Sequence, residues 1–125
     1  MSKRLLILTE DEPVTTRALA LDLTDAGYRV ETAVDRDDAI RRSRAVPFDL
    51  LIATEPRGEG GGAFVERFRR VRPAAKVVLM TTGQPGRGLQ VDETGARVAK
   101  PFDLDDIRSL VGRLLGREGS AGSAK

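Results

Sequence analysis

Short aliphatic runs recur along the chain: Arg4–Leu8 (RLLIL), Arg29–Ala33 (RVETA), Phe48–Ala53 (FDLLIA), Lys76–Met80 (KVVLM) and a weaker Arg97–Ala99 (RVA). Nothing else in the sequence constrains the fold as strongly. Apolar runs of about four to eight residues without strict alternation describe strands buried on both faces, and such strands belong to parallel sheets covered by helices. The intervening stretches carry helical periodicity. Pro13 suits a first helical turn, Leu19, Leu23 and Ala26 follow at i, i+4, i+7, and Gly27 supplies a stop. Asp35 is placed to cap a second helix through Ala39, Ile40 and Ser43 that ends before Pro47. Phe64, Phe68 and Val71 mark a third helix, and Asp103 with Asp106 opens a last one along Leu104, Ile107, Val111 and Leu114. Strand and helix alternate, which implies right-handed crossovers and an α/β fold: a doubly wound, five-stranded parallel sheet with helices on both faces.

The segment Thr82 to Thr94 breaks the pattern. It holds three glycines and Pro85 against two large apolar residues, Leu89 and Val91. Each interior glycine costs a helix ~1 kcal/mol and proline ~3 kcal/mol relative to alanine, so a loop or irregular turn is predicted, and the fourth helix is degenerate or missing. Residues 1–116 read as one domain, and 117–125 (REGSAGSAK) as a flexible tail or truncated linker.

With 125 residues, 40% hydrophobic, the chain holds one core. The absence of cysteine and histidine removes disulfides, thiolate metal sites, the commonest zinc ligand and the usual neutral-pH base. Twenty-one basic against 19 acidic residues give a formal charge of +2, which favours solubility over a phosphate-binding stripe. No signal peptide or membrane span is expected, and the predicted location is the cytoplasm.

Ligands of a doubly wound sheet bind beyond the carboxyl ends of its strands. The residues there are Glu10 and Asp11 after the first strand, Thr54 after the third, Thr81 after the fourth and Lys100 after the fifth. With them, ILTEDEP, GYRVETA, FDLLIAT, VVLMTT and AKPFDLDDI resemble, in order from Arg4 to about Leu115, the receiver domain of two-component response regulators. The resemblance implies a flavodoxin-like strand order, 2-1-3-4-5. It further implies an acidic pair for Mg²⁺ at Glu10 and Asp11, a sensing hydroxyl at Thr81 and a neutralising lysine at Lys100, followed by Pro101. An aspartate at the end of the third strand would accept a phosphoryl group from a histidine kinase, because metal and lysine together offset the negative charge of the transition state.

That acceptor does not match. Five residues after Asp49 stands Thr54, whose hydroxyl lacks an evident base. A slip of one would bring Glu55 there, but it would turn every side chain of the strand to the opposite face. Arg97 also replaces an aromatic residue that is common in the family, and the fourth helix of the usual signalling face is broken. The expected function is therefore that of a pseudo-receiver: non-enzymatic, phosphorylation-independent, acting through protein partners of a bacterial signalling pathway, with a homodimer among the expected assemblies. No cofactor is expected beyond weak Mg²⁺ at Glu10 and Asp11. The alternative is a working phosphorelay module that uses Glu55 or Asp11, and a third reading has Glu55 imitating a phosphorylated aspartate. Bland readings accompany these: Lys100 simply pairs with Asp11, Thr81 is an ordinary strand end, and the Gly-rich Glu59 to Ala63 is a mobile turn lacking the Lys-Ser/Thr of a phosphate loop. Arg67, Arg69, Arg70 and Arg72, like Arg108 and Arg113, read mainly as solvated faces, and nucleic-acid binding ranks last.

Overall fold

A computed structural model describes residues 3–8, 13–54, 61–81, 89–92, 95–99 and 103–116. Their elements run β1 (Arg4–Leu8), α1 (Pro13–Asp25), β2 (Arg29–Thr32), α2 (Arg36–Ala45), β3 (Leu50–Thr54), α3 (Gly61–Val71), β4 (Lys76–Thr81), β5 (Leu89–Asp92), β6 (Gly95–Ala99) and α4 (Leu104–Leu115). One sheet holds all the strands in the order β2-β1-β3-β4-β6-β5. The five parallel strands take the expected 2-1-3-4-5 arrangement, with β6 as the fifth.

Two-sided burial produces this sheet. Leu5, Ile7, Leu50, Ile52, Val78 and Met80 pack with Leu19 and Leu23 of α1 and with Ile107, Leu110 and Val111 of α4. Their neighbours in the strands, Leu6, Leu8, Leu51, Ala53, Val77 and Leu79, pack on the other face with Ala39 and Ile40 of α2 and with Phe64 and Phe68 of α3. Alternate strand residues thus feed two separate cores, as period-two side-chain geometry requires. Gly27 ends α1 at φ 104°, a left-handed conformation open to glycine.

Helix α2 is fixed by polar contacts. The Asp35 carboxylate accepts from the Asp38 N–H at 2.7 Å, the expected N-cap. Asp38 is itself buried, accepts from the Val34 N–H at 3.0 Å and from Arg42 Nε at 3.0 Å, and pairs with Arg41. Arg42 reaches on to Glu31 of β2 at 3.1 Å, so the turn and the helix are clipped to the edge strand. At the other end of α2, Arg72 donates from Nε to the Ser43 carbonyl at 2.8 Å and from Nη2 to the Arg44 carbonyl at 3.4 Å. Across the sheet, Arg108 of α4 grips Asp22 of α1 at 2.7 and 2.9 Å and Asp105 at 2.5 Å.

Two expectations require correction. Residues 89–92 form a strand, not a loop: β5 runs antiparallel to β6, with Leu89 and Val91 level with Val98 and Ala96. Alternation across a two-residue connection stabilises this hairpin in spite of the glycines and proline that precede it. Among the described residues no helix stands between β4 and β6, consistent with the missing fourth helix. The Gly-rich Glu59 to Ala63 is also not wholly a turn, since α3 begins at Gly61 and the burial of Phe64 and Phe68 offsets the glycine cost. As expected, Asp103 stands at the N-cap of α4, where its carbonyl accepts from the Asp106 and Ile107 N–H groups.

Gly95 starts β6 between Val77 of β4 and Asp92 of β5. Its φ is 156°, and a Cβ there would lie 1.8 Å from the Val77 carbonyl oxygen, within the backbone of the adjacent strand. Gly95→Ala is expected to destabilise the domain by about 2–4 kcal/mol in denaturant unfolding, in the range of a backbone clash that cannot relax. A second prediction concerns acid. The Val34 N–H, followed by Arg42, holds the Asp38 carboxyl below the usual carboxylate range. A depressed folded-state pKa contributes stability that is present above the unfolded value and lost as pH falls through the folded one. Melting temperature should therefore drop more steeply below about pH 4 in the wild type than in Asp38→Asn, which removes that titration.

Candidate functional site at the carboxyl edge of the sheet

Parallel pairing brings the strand ends together. Leu8 of β1 lies level with Ala53, Thr54 of β3 with Met80, and Thr81 of β4 with Ala99 of β6. Thr54 is therefore the last residue of β3, one step beyond the end of β1, and Thr81 is the last of β4. Glu10, Asp11, Glu55 and Lys100 lie outside the described residues, as does the expected pairing of Lys100 with Asp11.

The register is anchored on both sides. Leu50 and Ile52 belong to the α1–α4 core and Leu51 and Ala53 to the α2–α3 core. Thr54 continues the Leu50–Ile52 row and is paired with Met80, a member of the same core. Its Oγ1 is shielded from solvent and has no hydrogen-bond partner among the described residues. Nothing described beside it takes its proton, and the chain holds no histidine. A hydroxyl is also a weaker ligand for a hard cation than a carboxylate. Among the described residues no three acidic, histidine or cysteine side chains gather as a metal site.

Two features near this edge escaped sequence reasoning. Val14 and Leu21 on α1 are 80% and 62% exposed, and Val34 in the β2–α2 turn is 81% exposed. In α1 the apolar residues cover more than the core stripe, a surplus that a count of positions outside Leu19, Leu23 and Ala26 would have revealed. Asp38 was also overlooked, although the acidic residue three after a capping aspartate is a recognised helix-start signal.

The 2-1-3-4-5 order of the parallel strands, with helices packed on both faces, gives a flavodoxin-like fold of the CheY type. No protein-family model matches the chain. The transcriptional activator IrlR of Burkholderia pseudomallei is 29% identical over 115 residues, covering 90% of this chain and 50% of that protein. The response regulator ArlR of Staphylococcus aureus is 25% identical over 117 residues, covering 90% of this chain and 53% of ArlR. The chain thus spans about half the length of these curated relatives. Among solved structures, a response regulator of Thermotoga maritima superposes with a TM-score of 0.74 at 20% identity, covering 93% of this chain and 99% of its own. Chemotaxis protein CheY4 of Vibrio cholerae gives 0.73 at 22% identity, covering 91% and 99%. A complex of histidine kinase ThkA with response regulator TrrA contains a chain 28% identical, with a TM-score of 0.69 and coverage of 90% and 98%. The curated relatives are thus a transcriptional activator and a response regulator, and the solved neighbours share the fold.

Removing an orphaned buried hydroxyl while keeping the side-chain shape is neutral or favourable. Thr54→Val is expected to leave unfolding free energy unchanged or raise it by up to about 1 kcal/mol, measured by urea denaturation. A loss of more than about 1 kcal/mol would show that Oγ1 has a partner in solution.

Proposed function

We propose that this chain is a pseudo-receiver: a signalling domain that works through protein contacts without being phosphorylated. Thr54 carries the reading. It ends β3 in a register held by two cores, where the family resemblance calls for the phosphoryl-accepting aspartate, and its Oγ1 is buried without a partner among the described residues. A threonine hydroxyl with no base does not attack an acyl phosphate at a useful rate. With β3 supplying no carboxylate, Glu10 and Asp11 form at most a weak Mg²⁺ site.

Protein docking remains open to such a domain. Val14 and Leu21 give α1 an exposed apolar surface, and the TrrA-like relative is solved in complex with a kinase, so a histidine kinase or a related helical protein is a suitable partner for this face. The setting is the bacterial cytoplasm, the role is non-enzymatic, and partners are proteins rather than nucleic acid. No helix among the described residues is long and apolar enough to cross a membrane, in keeping with that setting.

Incubation with Mg²⁺ and acetyl phosphate, followed by intact mass spectrometry, tests the proposal. The wild type should show no adduct, whereas Thr54→Asp should gain roughly 80 Da, one phosphoryl group, in a Mg²⁺-dependent manner. A stable adduct on the wild type, lost on mutation of Glu55 or Asp11, would replace this reading with the working phosphorelay module.

A further inference from the structure

The two ends of the sheet carry opposite charge. At the amino ends of the strands, Arg29 and Lys76 open β2 and β4, while Arg44, Arg70 and Arg113 lie in the last turns of α2, α3 and α4. The acids at that end are Asp25, which ends α1, and Asp49, whose carboxylate accepts the Arg4 N–H at 2.8 Å. Arg29, Arg44, Arg70 and Arg113 are exposed, with no ion-pair partner among the described residues. At the carboxyl ends acids predominate: Asp35 and Asp37 flank Arg36 at the start of α2, and Asp103, Asp105 and Asp106 begin α4, these aspartates all exposed. Arg67 approaches Asp37 only to 3.8 Å, and Arg108 divides between Asp22 and Asp105.

Helix dipoles favour acids at helix starts and bases at helix ends, which accounts for part of this polarity. They do not account for Arg29 and Lys76, which open strands. Helix α1 runs against both trends, with no acid in its first turn and Asp25 in its last. The surplus that the dipoles leave unexplained is therefore Arg29 and Lys76.

We propose that these ends are complementary docking surfaces for a second copy of this chain, the basic end of one molecule meeting the acidic end of the next. Guanidinium forks match carboxylates in pairs, and four arginines without ion-pair partners among the described residues lie opposite an end bearing exposed aspartates on both sides of its sheet. The contact is heterologous: the surfaces differ, so each added copy leaves one basic and one acidic end free and the assembly is not a closed two-fold dimer. It buries the carboxyl edge of every copy but the last. Because the pairs sit on exposed side chains, the association weakens as salt shortens the screening length from roughly 30 Å to a few ångströms. The arrangement stands on the charge placement alone, whether or not Thr54 takes part in phosphotransfer.

Sedimentation velocity on the whole chain tests it, across a concentration series at ~0.01 M and ~1 M salt. Two charge-reversal variants complete the set: Arg44→Glu with Arg70→Glu at the basic end, and Asp103→Lys with Asp106→Lys at the acidic end, each checked for its melting transition. The wild type should gain mass with concentration at low salt without stopping at two copies, and return to monomer at high salt. Each folded variant should remain monomeric alone. Mixed in equal amounts, they should co-assemble into alternating oligomers, because the native acidic end of one meets the native basic end of the other and their two reversed ends again carry opposite charge. A wild type that is monomeric at low salt, a dimer indifferent to salt, or variants that fail to pair when mixed would each overturn the proposal.

Discussion

Burial of β1, β3 and β4 on both faces governs everything else in the molecule. Residues Leu5–Leu8, Leu50–Ala53 and Val77–Met80 are all shielded from solvent. Each large aliphatic side chain so buried contributes about 1.5–3 kcal/mol, so helices are required above and below the sheet. Helices on both faces require crossover connections, crossovers require parallel strands, and parallel strands end together. A slip of one residue in β3 would exchange its contributions to the two cores, which differ in shape: Phe64 and Phe68 fill one, Leu19, Leu23 and Ile107 the other. The identity of the residue at the end of β3 therefore follows from packing far from that end.

The fold was legible where its causes are local. The aliphatic runs of β1, β3 and β4, the Asp35 cap and the stop at Gly27 each state their role within a few residues. The β5–β6 hairpin was not, because the glycines and proline before Leu89 masked a weaker signal. Leu89-Gln90-Val91-Asp92 and Ala96-Arg97-Val98 both alternate, with Glu93 and Thr94 between the strands, the spacing of a tight turn. Gly95 belongs to the same omission, since only the close approach of Val77 explains why no side chain fits there. Contacts such as Arg42 with Glu31 and Arg108 with Asp22 were beyond sequence reasoning because the partner is chosen by tertiary packing. At the site, Thr54 and Thr81 were correctly placed at strand ends by pattern alone. Glu10, Asp11 and Lys100 rest on sequence position and resemblance, being outside the described residues.

The hairpin also alters the lateral surface. Where the family resemblance calls for a helix between the fourth and fifth parallel strands, the described chain offers a four-residue antiparallel strand at the sheet margin. Apolar β5 positions are level with Ala96 and Val98, whereas Gln90 and Asp92 are level with Arg97 and Gly95. Ala96 and Val98 belong to the α1–α4 core, and by sequence the row level with them on β5 is apolar while the other is polar or glycine. A signalling surface built around a helix at this position is thus absent from the described part of the molecule.

Arg72 has a consequence beyond its own place in the chain. It follows α3 in sequence, yet its guanidinium completes the last carbonyls of α2, Ser43 and Arg44. Those groups have no partner within α2 itself, as at the end of any helix. The last turn of α2 thus borrows its hydrogen-bonding partner from the residue that follows α3, so a change at Arg72 acts on the end of a helix to which it does not belong.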